Sequence, residues 1–459
     1  MPPALLALVT LLQAYTRASD AEAVEAAVMD RRWQVVLDCR DCTDAPFSTG
    51  TLVAFRERLI AAEKDRRLIE RTVEVAAQTK GFGHRQLRAA LDSSPLWGAG
   101  RVEDTYNLLG HALRKAVGML ARQQGRELAA QAAEAGAPLL GGPSLKAALD
   151  CDWDDPEARA VALEQVLATL EAVEAYVTAQ AESPARTAAQ ASVAVAQQVV
   201  AQDVEARADG TVALREGVAA ARRISVEDPD MRHGRKCRSQ LFDGYKRHVL
   251  RDLDSQLIRA VGLTPANAPE ASVTPDILAD LAPQQVALTE CHIDRAYLSS
   301  TLVRERGPEL TIFCKAWPVR SGPHFAKTAF HLDWDRAVIR CPQQVELPFT
   351  PGGVVHFPAQ ACAVCPLRTQ CTSSPRGRSV SVHPDERLLE ELRTRQVTPA
   401  GRAALRERVQ VEHSLAHIGA WQGDRALPWA AQEPLRPAPD GRGGESACPS
   451  ASPGCLRDA

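Results

Sequence analysis

The order of apolar and polar positions changes character several times along the chain. Residues 1–80 read as helix: Ser19 and Glu22 form an S-x-x-E capping box, and Ala23 to Leu37 follows with apolar residues at near-helical spacing. A second helix is predicted over about Thr51 to Ile60, with Phe55, Leu59 and Ile60 beside Arg56 and Arg58. The short apolar run Leu87 to Leu91 meets Asp92, Ser93, Ser94 and Pro95, which predicts a strand that stops there. From Asp104 to Arg223 the texture turns to Ala, Gln and Glu. Val161, Val166, Leu167, Leu170, Val173 and Val177 trace one helical face, and the loop Gly136 to Pro143 divides the block. Beyond Arg223, Tyr245–Leu250 and Leu257–Val261 predict a hairpin, followed by the turn-rich Thr264 to Asn267 and a helix near Thr274 to Leu281. Strands are predicted over Val286 to Ile293, ending at Asp294, and over Glu309 to Trp317. This succession predicts a mixed α/β core. Residues 321–375 carry alternating and turn-forming sequence, and helix returns over Asp385–Thr394 and Pro399–Ile418. Past Gly423 the pattern gives way to Pro, Gly, Ala and Ser without a period, a disordered composition.

Composition narrows the class. The chain has 459 residues, with 54 Lys and Arg against 57 Asp and Glu, for a net charge of −3. That balance excludes a strongly basic binder, so any nucleic-acid contact has to come from local clusters. No apolar run approaches the roughly 20 residues that span a bilayer. The stretch Leu5–Leu12 is short, follows no Lys or Arg and lacks a cleavage site, so a secretory signal is not expected. Twelve cysteines, some in tight pairs such as Cys39/Cys42 and Cys362/Cys365, suit a reducing compartment and metal more than a disulfide scaffold. The expectation is a cytoplasmic, non-membrane protein.

Candidate chemistry starts from carboxylates. Asp92 and Asp294 each end a predicted strand, and Glu412 lies on a predicted helix. Such acids, gathered at the end of a sheet, could hold two Mg²⁺ or Mn²⁺ ions about 4 Å apart for in-line phosphoryl transfer. Spacing alone does not select these three from 57 acids. Longer motifs do. The stretches SDAEAVEAAVMDRRWQVVLD (19–38), FRERLI (55–60), LRAALDSSPLWGAGRVEDTYNLLGHALRK (87–115), FDGYKRHV (242–249), TPAN (264–267), HIDRAYLSS (292–300), CAVCPLRTQC (362–371) and RVQVEHSLAHIGAWQG (408–423) resemble the DDE transposases of bacterial insertion sequences, nearest to the group numbered eleven-eighty-two. The resemblance implies an RNase-H-like core that nicks DNA at transposon ends and joins the freed 3′-OH to target DNA. It carries the catalytic, metal-binding roles onto Asp92, Asp294 and Glu412. It also implies terminal inverted repeats and target DNA as partners, and a homo-oligomer working on paired ends, nucleoid-associated when bound.

On that resemblance the chain divides into a helical N-terminal region (1–80, a partial DNA-binding unit), the first core part (81–110), a helical insertion (111–223), core hairpin, helix and strands (224–320), a β-rich Cys-containing insertion (321–394), the core helix with Glu412 (395–422) and a tail (423–459). The segment 222–259 holds ten Arg and Lys against six acids, and clustered cations supply phosphate contacts. Lys246 and His248, two apart on the proposed hairpin, are candidate DNA contacts, with a solvated strand edge as the alternative. Arg408, at i−4 from Glu412 on the same predicted helix, can reach that carboxylate or a phosphate, and His413 matches the family's EH pair. His413 and His417 have the spacing of a zinc helix but no third ligand. Cys362-x2-Cys365-x5-Cys371 could bind structural Zn²⁺ with Cys341 or His383 as the fourth ligand, or pack a small β-insertion as reduced thiols. Cys39 and Cys42 lack a second pair.

Two departures from the family are expected to matter. The start, MPPALLALVTLLQAY, matches the middle of the family's N-terminal region. At the other end, one permitted codon string for Ala426 to Ala438, read one base later and followed by a C, encodes RYRGLRKNLFDLR, the basic segment the family carries. That predicts a frameshift near codons 422–426 and an impaired copy. The competing readings are a non-catalytic DNA-binding remnant and a zinc-dependent nuclease working at the Cys/His cluster.

Overall fold

The computed structural model describes residues 2–422, apart from 17, 41, 63, 65–66, 80–85, 208–209, 220, 238 and 320–321. The expected disordered, shifted tail lies outside the described residues.

Helices α1 (Pro3–Thr16), α2 (Asp20–Met29), α3 (Arg31–Val36), α4 (Thr49–Ala61) and α5 (Arg67–Ala77) open the chain. The first four enclose Leu6, Val9, Ala27, Trp33, Leu52 and Phe55. The Ser19/Glu22 capping box closes in both directions at the start of α2. The single helix predicted over 23–37 is instead two, because the Asp30 carboxylate accepts the Arg32 N–H and starts α3 afresh.

Strand β1 (Gln86–Trp97) does not stop at Asp92. The next block comprises α6 (Thr105–Gln124), α7 (Leu128–Glu134), α8 (Leu145–Ala148), α9 (Pro156–Ala179) and α10 (Pro184–Asp203), then a small hairpin of β2 (Val204–Ala206) and β3 (Val212–Leu214). These helices share a core of their own, including Leu109, Leu113, Leu163, Val166 and Val193. The chain re-enters the sheet with β4 (Arg232–Cys237), β5 (Gln240–Asp252) and β6 (Ile258–Pro265), passes through α11 (Thr274–Leu281), and continues with β7 (Ala287–Ile293), α12 (Thr301–Arg304) and β8 (Thr311–Phe313).

The sheet is mixed. Antiparallel β5 and parallel β7 flank β1, and β8 runs parallel to β7. Along its other edge β5 is shared: β4 takes Gln240–Gly244 and β6 takes Tyr245–Arg251. Pairing to β5 continues as far as Trp97 while pairing to β7 ends at Leu91. Pro95 therefore falls where the strand is paired along one side only, which a missing N–H tolerates. Alternation along the strands then assigns the faces. Leu87, Ala89, Leu91, Cys291 and Ile293 pack toward Ile277 of α11 and Leu302 of α12, and toward Leu388, Leu389 and Leu392 of α15 (Glu386–Val397). Ala90 and Val249 pack toward Val411 and Leu415 of α17 (Val409–Gln422) on the opposite face.

Between β8 and α15, five three-residue strands form two small sheets: β9 (His331–Asp333), β10 (Val338–Arg340) and β11 (Glu346–Pro348), then β12 (Val354–His356) with β13 (Ser379–Ser381). Short helices α13 (Ala359–Ala363) and α14 (Arg368–Cys371) sit between them in sequence, and Phe330, Ile339, Phe349 and Phe357 fill their core. The strand predicted over 309–317 shrinks to β8. The helix predicted over 399–418 is two helices, α16 (Pro399–Glu407) and α17, divided at Arg408.

Candidate functional site

Asp92 is the first residue of β1 beyond its pairing with β7, so its side chain stands at an opening in the sheet, on the face that α17 covers. Asp294 follows the last residue of β7 directly. Glu412 lies in the first turn of α17. Arg408, at the break between α16 and α17, joins the first to the last: Nη1 donates to Asp92 Oδ2 at 2.7 Å, and Nη2 lies 2.6 Å from Glu412 Oε1. Asp294 and Arg408 line one polar cavity of about 270 Å³, together with His292, Arg295, Phe313 and Lys315. The sequence-predicted acids are thus brought into one neighbourhood.

Their electrostatics differ. Asp92 is nearly enclosed, and burial pushes its carboxyl up to about 6 from an ordinary 3.8. Arg408 and the Ser93 N–H pull it back down, while the charges of Glu412 and Asp294 push it further up. Glu412 is half exposed. Three carboxylates offer hard oxygen donors, which suit Mg²⁺ or Mn²⁺ in kind. As the side chains stand, the Arg408 guanidinium holds two of them, and among the described residues no three His, Cys, Asp or Glu side chains are gathered to hold a metal ion.

The helix junction is fixed from three directions. Glu407 receives Arg88 Nη2 of β1 at 2.8 Å, and the same guanidinium reaches Glu290 of β7 at 3.0 Å and Asp254 at 2.9 Å. Arg251 of β5 donates to the Gln410 carbonyl at 2.6 Å and to Ser414 Oγ at 2.5 Å. An i+3 bond from Val411 N–H to the Arg408 carbonyl, at 3.0 Å, tightens the turn between the helices. Arg402 and Arg406 therefore belong to α16 and not to the helix of Glu412, although the sequence predicts one helix over 399–418.

Several expected DNA contacts are placed otherwise. His248 is fully buried: its Nδ1 and Nε2 meet Tyr297 Oη at 2.7 Å and Thr264 Oγ1 at 2.9 Å, so it sits in the core rather than on a strand edge. Burial, then the charge of Lys246, pushes its imidazole down to about 4. Lys246 donates to the Ala268 carbonyl at 2.9 Å and faces Glu270 at 3.8 Å. Within the basic segment, Arg222 pairs with Asp203, Arg259 with Asp252, and Arg223 is buried on the Ser225 and Val226 carbonyls. Much of that charge is structural; Arg235 and Lys236 of β4 remain exposed. His413 is exposed on α17.

A residue the sequence reasoning passed over is His292. It is 1 % exposed and stacks on Phe313 at 4.5 Å; among the described residues neither ring nitrogen has a hydrogen-bond partner, and Nε2 stops 3.6 Å from Glu290 Oε2. Its place two residues before Asp294, on the same strand face, was the available signal.

The four cysteines of the β-rich segment lie together. Cys341, Cys362, Cys365 and Cys371 line a second cavity, of about 200 Å³, while His383 does not border it and accepts the Asp385 N–H at 3.0 Å. Cys39 is buried and Cys42 exposed.

Comparison with known proteins adds one finding. No curated protein and no solved structure matches the chain. No described helix is long and apolar enough to cross a membrane. Residues 341–429 match the family model of a transposase DDE domain, a C-terminal stretch well under half of the chain that contains Arg408, Glu412 and the four clustered cysteines.

Proposed function

We propose that this chain is a DDE-type DNA transposase polypeptide, and that Asp92, Asp294 and Glu412 are its catalytic carboxylates. The observation that carries the reading is their arrangement: acids from β1 and from a covering helix pair with Arg408, and the acid at the end of β7 shares a cavity with that arginine and acts on Asp92 by its charge, although the three are far apart in sequence. The strand order, a central first strand with an antiparallel pair on one side and parallel strands on the other, supports an RNase-H-like core. The match over 341–429 supports the same family from the sequence side.

A divalent ion, when bound, supplies the charge that activates the attacking oxygen and steadies the leaving one. The chain's own residues set the conditions. Strands β1 and β7 hold Asp92 and Asp294 on rigid backbone, and the clamped helix junction presents Glu412 to them. Arg408 pairs with Asp92 and Glu412, so it has to yield its place before those two carboxylates hold an ion. Exposed cations such as Arg235 and Lys236, with His413 beside Glu412, are the groups left to meet DNA phosphates, and Lys246 joins them only by giving up the Ala268 carbonyl. Double-stranded transposon ends and target DNA are the partners, and a homo-oligomer on paired ends is the working form.

The test is Mg²⁺-dependent nicking of transposon-end DNA by the purified chain and by a version with the reading frame restored after Gln422. The restored chain is expected to nick, and D92N or E412Q to abolish the activity. Metal-independent nicking, or nicking that survives D92N, overturns the assignment. DNA binding without nicking in both chains favours the non-catalytic remnant.

A further inference from the structure

The cysteine cavity is separate from the carboxylate site and unused by it. Cys341 opens the turn after β10, with its N–H bonded to the Val345 carbonyl at 3.0 Å. Cys362 lies in α13, Cys365 follows in a turn whose N–H points to the Cys362 carbonyl at 3.4 Å, and Cys371 ends α14. Three separate pieces of backbone thus deliver four sulfurs to one hollow of about 200 Å³. All four are free thiols and all are half-buried. The rest of the lining is apolar apart from Gln343 and Arg378, and includes Phe325, Phe330 and Phe357; among the described residues no Asp, Glu or His borders it.

A thiol-only donor set in an apolar shell is soft, which selects zinc over the hard cations that carboxylates take. The C-x2-C pair with two further cysteines is the ligand count of a closed, tetrahedral structural site. The surroundings give such a site a purpose. Strands of three residues and a core of a few aromatic and β-branched side chains make a thin subdomain, the kind that a structural metal stabilises.

We infer that Cys341, Cys362, Cys365 and Cys371 form a structural Zn²⁺ site that staples the β-rich segment ahead of α15. The sulfurs border the cavity without yet converging on one point, so the ion closes the site by turning the thiolates inward as they lose their protons. Arg378, which ties the Cys371 and Phe325 carbonyls at 3.1 and 2.9 Å, holds the backbone around the hollow while this happens. Cys341 completes the set; His383 is turned to its own loop.

The experiment is metal analysis of the full-length chain after passage over a chelating resin. One equivalent of zinc is expected, released when a mercurial blocks the thiols. C365S is expected to lose that equivalent, and C39S to retain it. Because C365S could fail to fold, the wild-type chain is also loaded with Co²⁺, where intense visible bands of a tetrahedral thiolate site are expected. A wild-type chain without zinc or those bands, zinc that persists in C365S, or a Cys362–Cys365 disulfide found by mass spectrometry overturns the inference. None of these readouts depends on nicking, so failure of the transposase reading and failure of the zinc site are told apart.

Discussion

At the scale of single residues, Asp92 is held where a charge is costly. Its carboxyl sits at about 6 in the fold against 3.8 as the ordinary value, chiefly through burial. Between those two values the folded chain keeps a proton that the unfolded chain has lost, so stability falls as the pH rises through this window. The loss is complete above about pH 6 and amounts to at most about 3 kcal/mol. D92N removes it. The variant is therefore expected to match the wild type near pH 4 and to unfold at higher urea above pH 6, with the gap widening across the window; parallel curves at all pH values contradict this. R408Q has the opposite sign of effect on the same group. Without the guanidinium at 2.7 Å the Asp92 carboxyl rises further, so the alkaline shift of its titration, read by NMR of the side-chain carboxyl, is the expected outcome.

At the scale of elements, some boundaries were legible and others were not, for identifiable reasons. Helix α11 falls on the predicted Thr274–Leu281, since Pro275 at its first turn and the spacing of Ile277 and Leu281 are local signals. The hairpin of β5 and β6 and the strand ending at Asp294 were readable from β-branched runs. Strand β4 was missed because Arg232-His233-Gly234-Arg235-Lys236-Cys237 has no apolar alternation; it pairs along an edge rather than filling a core. Asp92-Ser93-Ser94-Pro95 looked like a stop, but pairing with β5 overrides it. The three acids were picked out by family words, whereas the salt bridge from Arg408 to Asp92 has no local trace at all. His248 looked like surface because its neighbours are charged, yet strand alternation turns it inward. Gly244 offers a test at this scale. It pairs with both β1 and β4, has φ of 148°, and a Cβ there would lie 2.3 Å from the Leu96 oxygen and the Gly98 nitrogen. G244A is expected to cost on the order of 3 kcal/mol or more, read by thermal unfolding, because backbone rather than a flexible side chain is in the way. A loss below 1 kcal/mol (about the ordinary size for a surface change) refutes the tight approach.

For the whole molecule, the helical block and the sheet keep separate cores, joined through the short segments around residues 98–104 and 227–231. Native-state hydrogen exchange is expected to resolve two cooperative units, with amides of α6 and α9 merging on one isotherm and those of β1 and β5 on another. A single isotherm for all four counts against it. The way α16 and α17 sit on β1 has a further consequence. Arg88 and Asp92 project from one face of the strand and carry opposite signs; Glu407 and Arg408 answer them in reversed polarity from adjacent positions. Slide the helical pair along by one residue and cation would confront cation. The junction therefore works like a polarised plug, which accepts insertion in a single phase and delivers Glu412 to the same spot each time the chain folds.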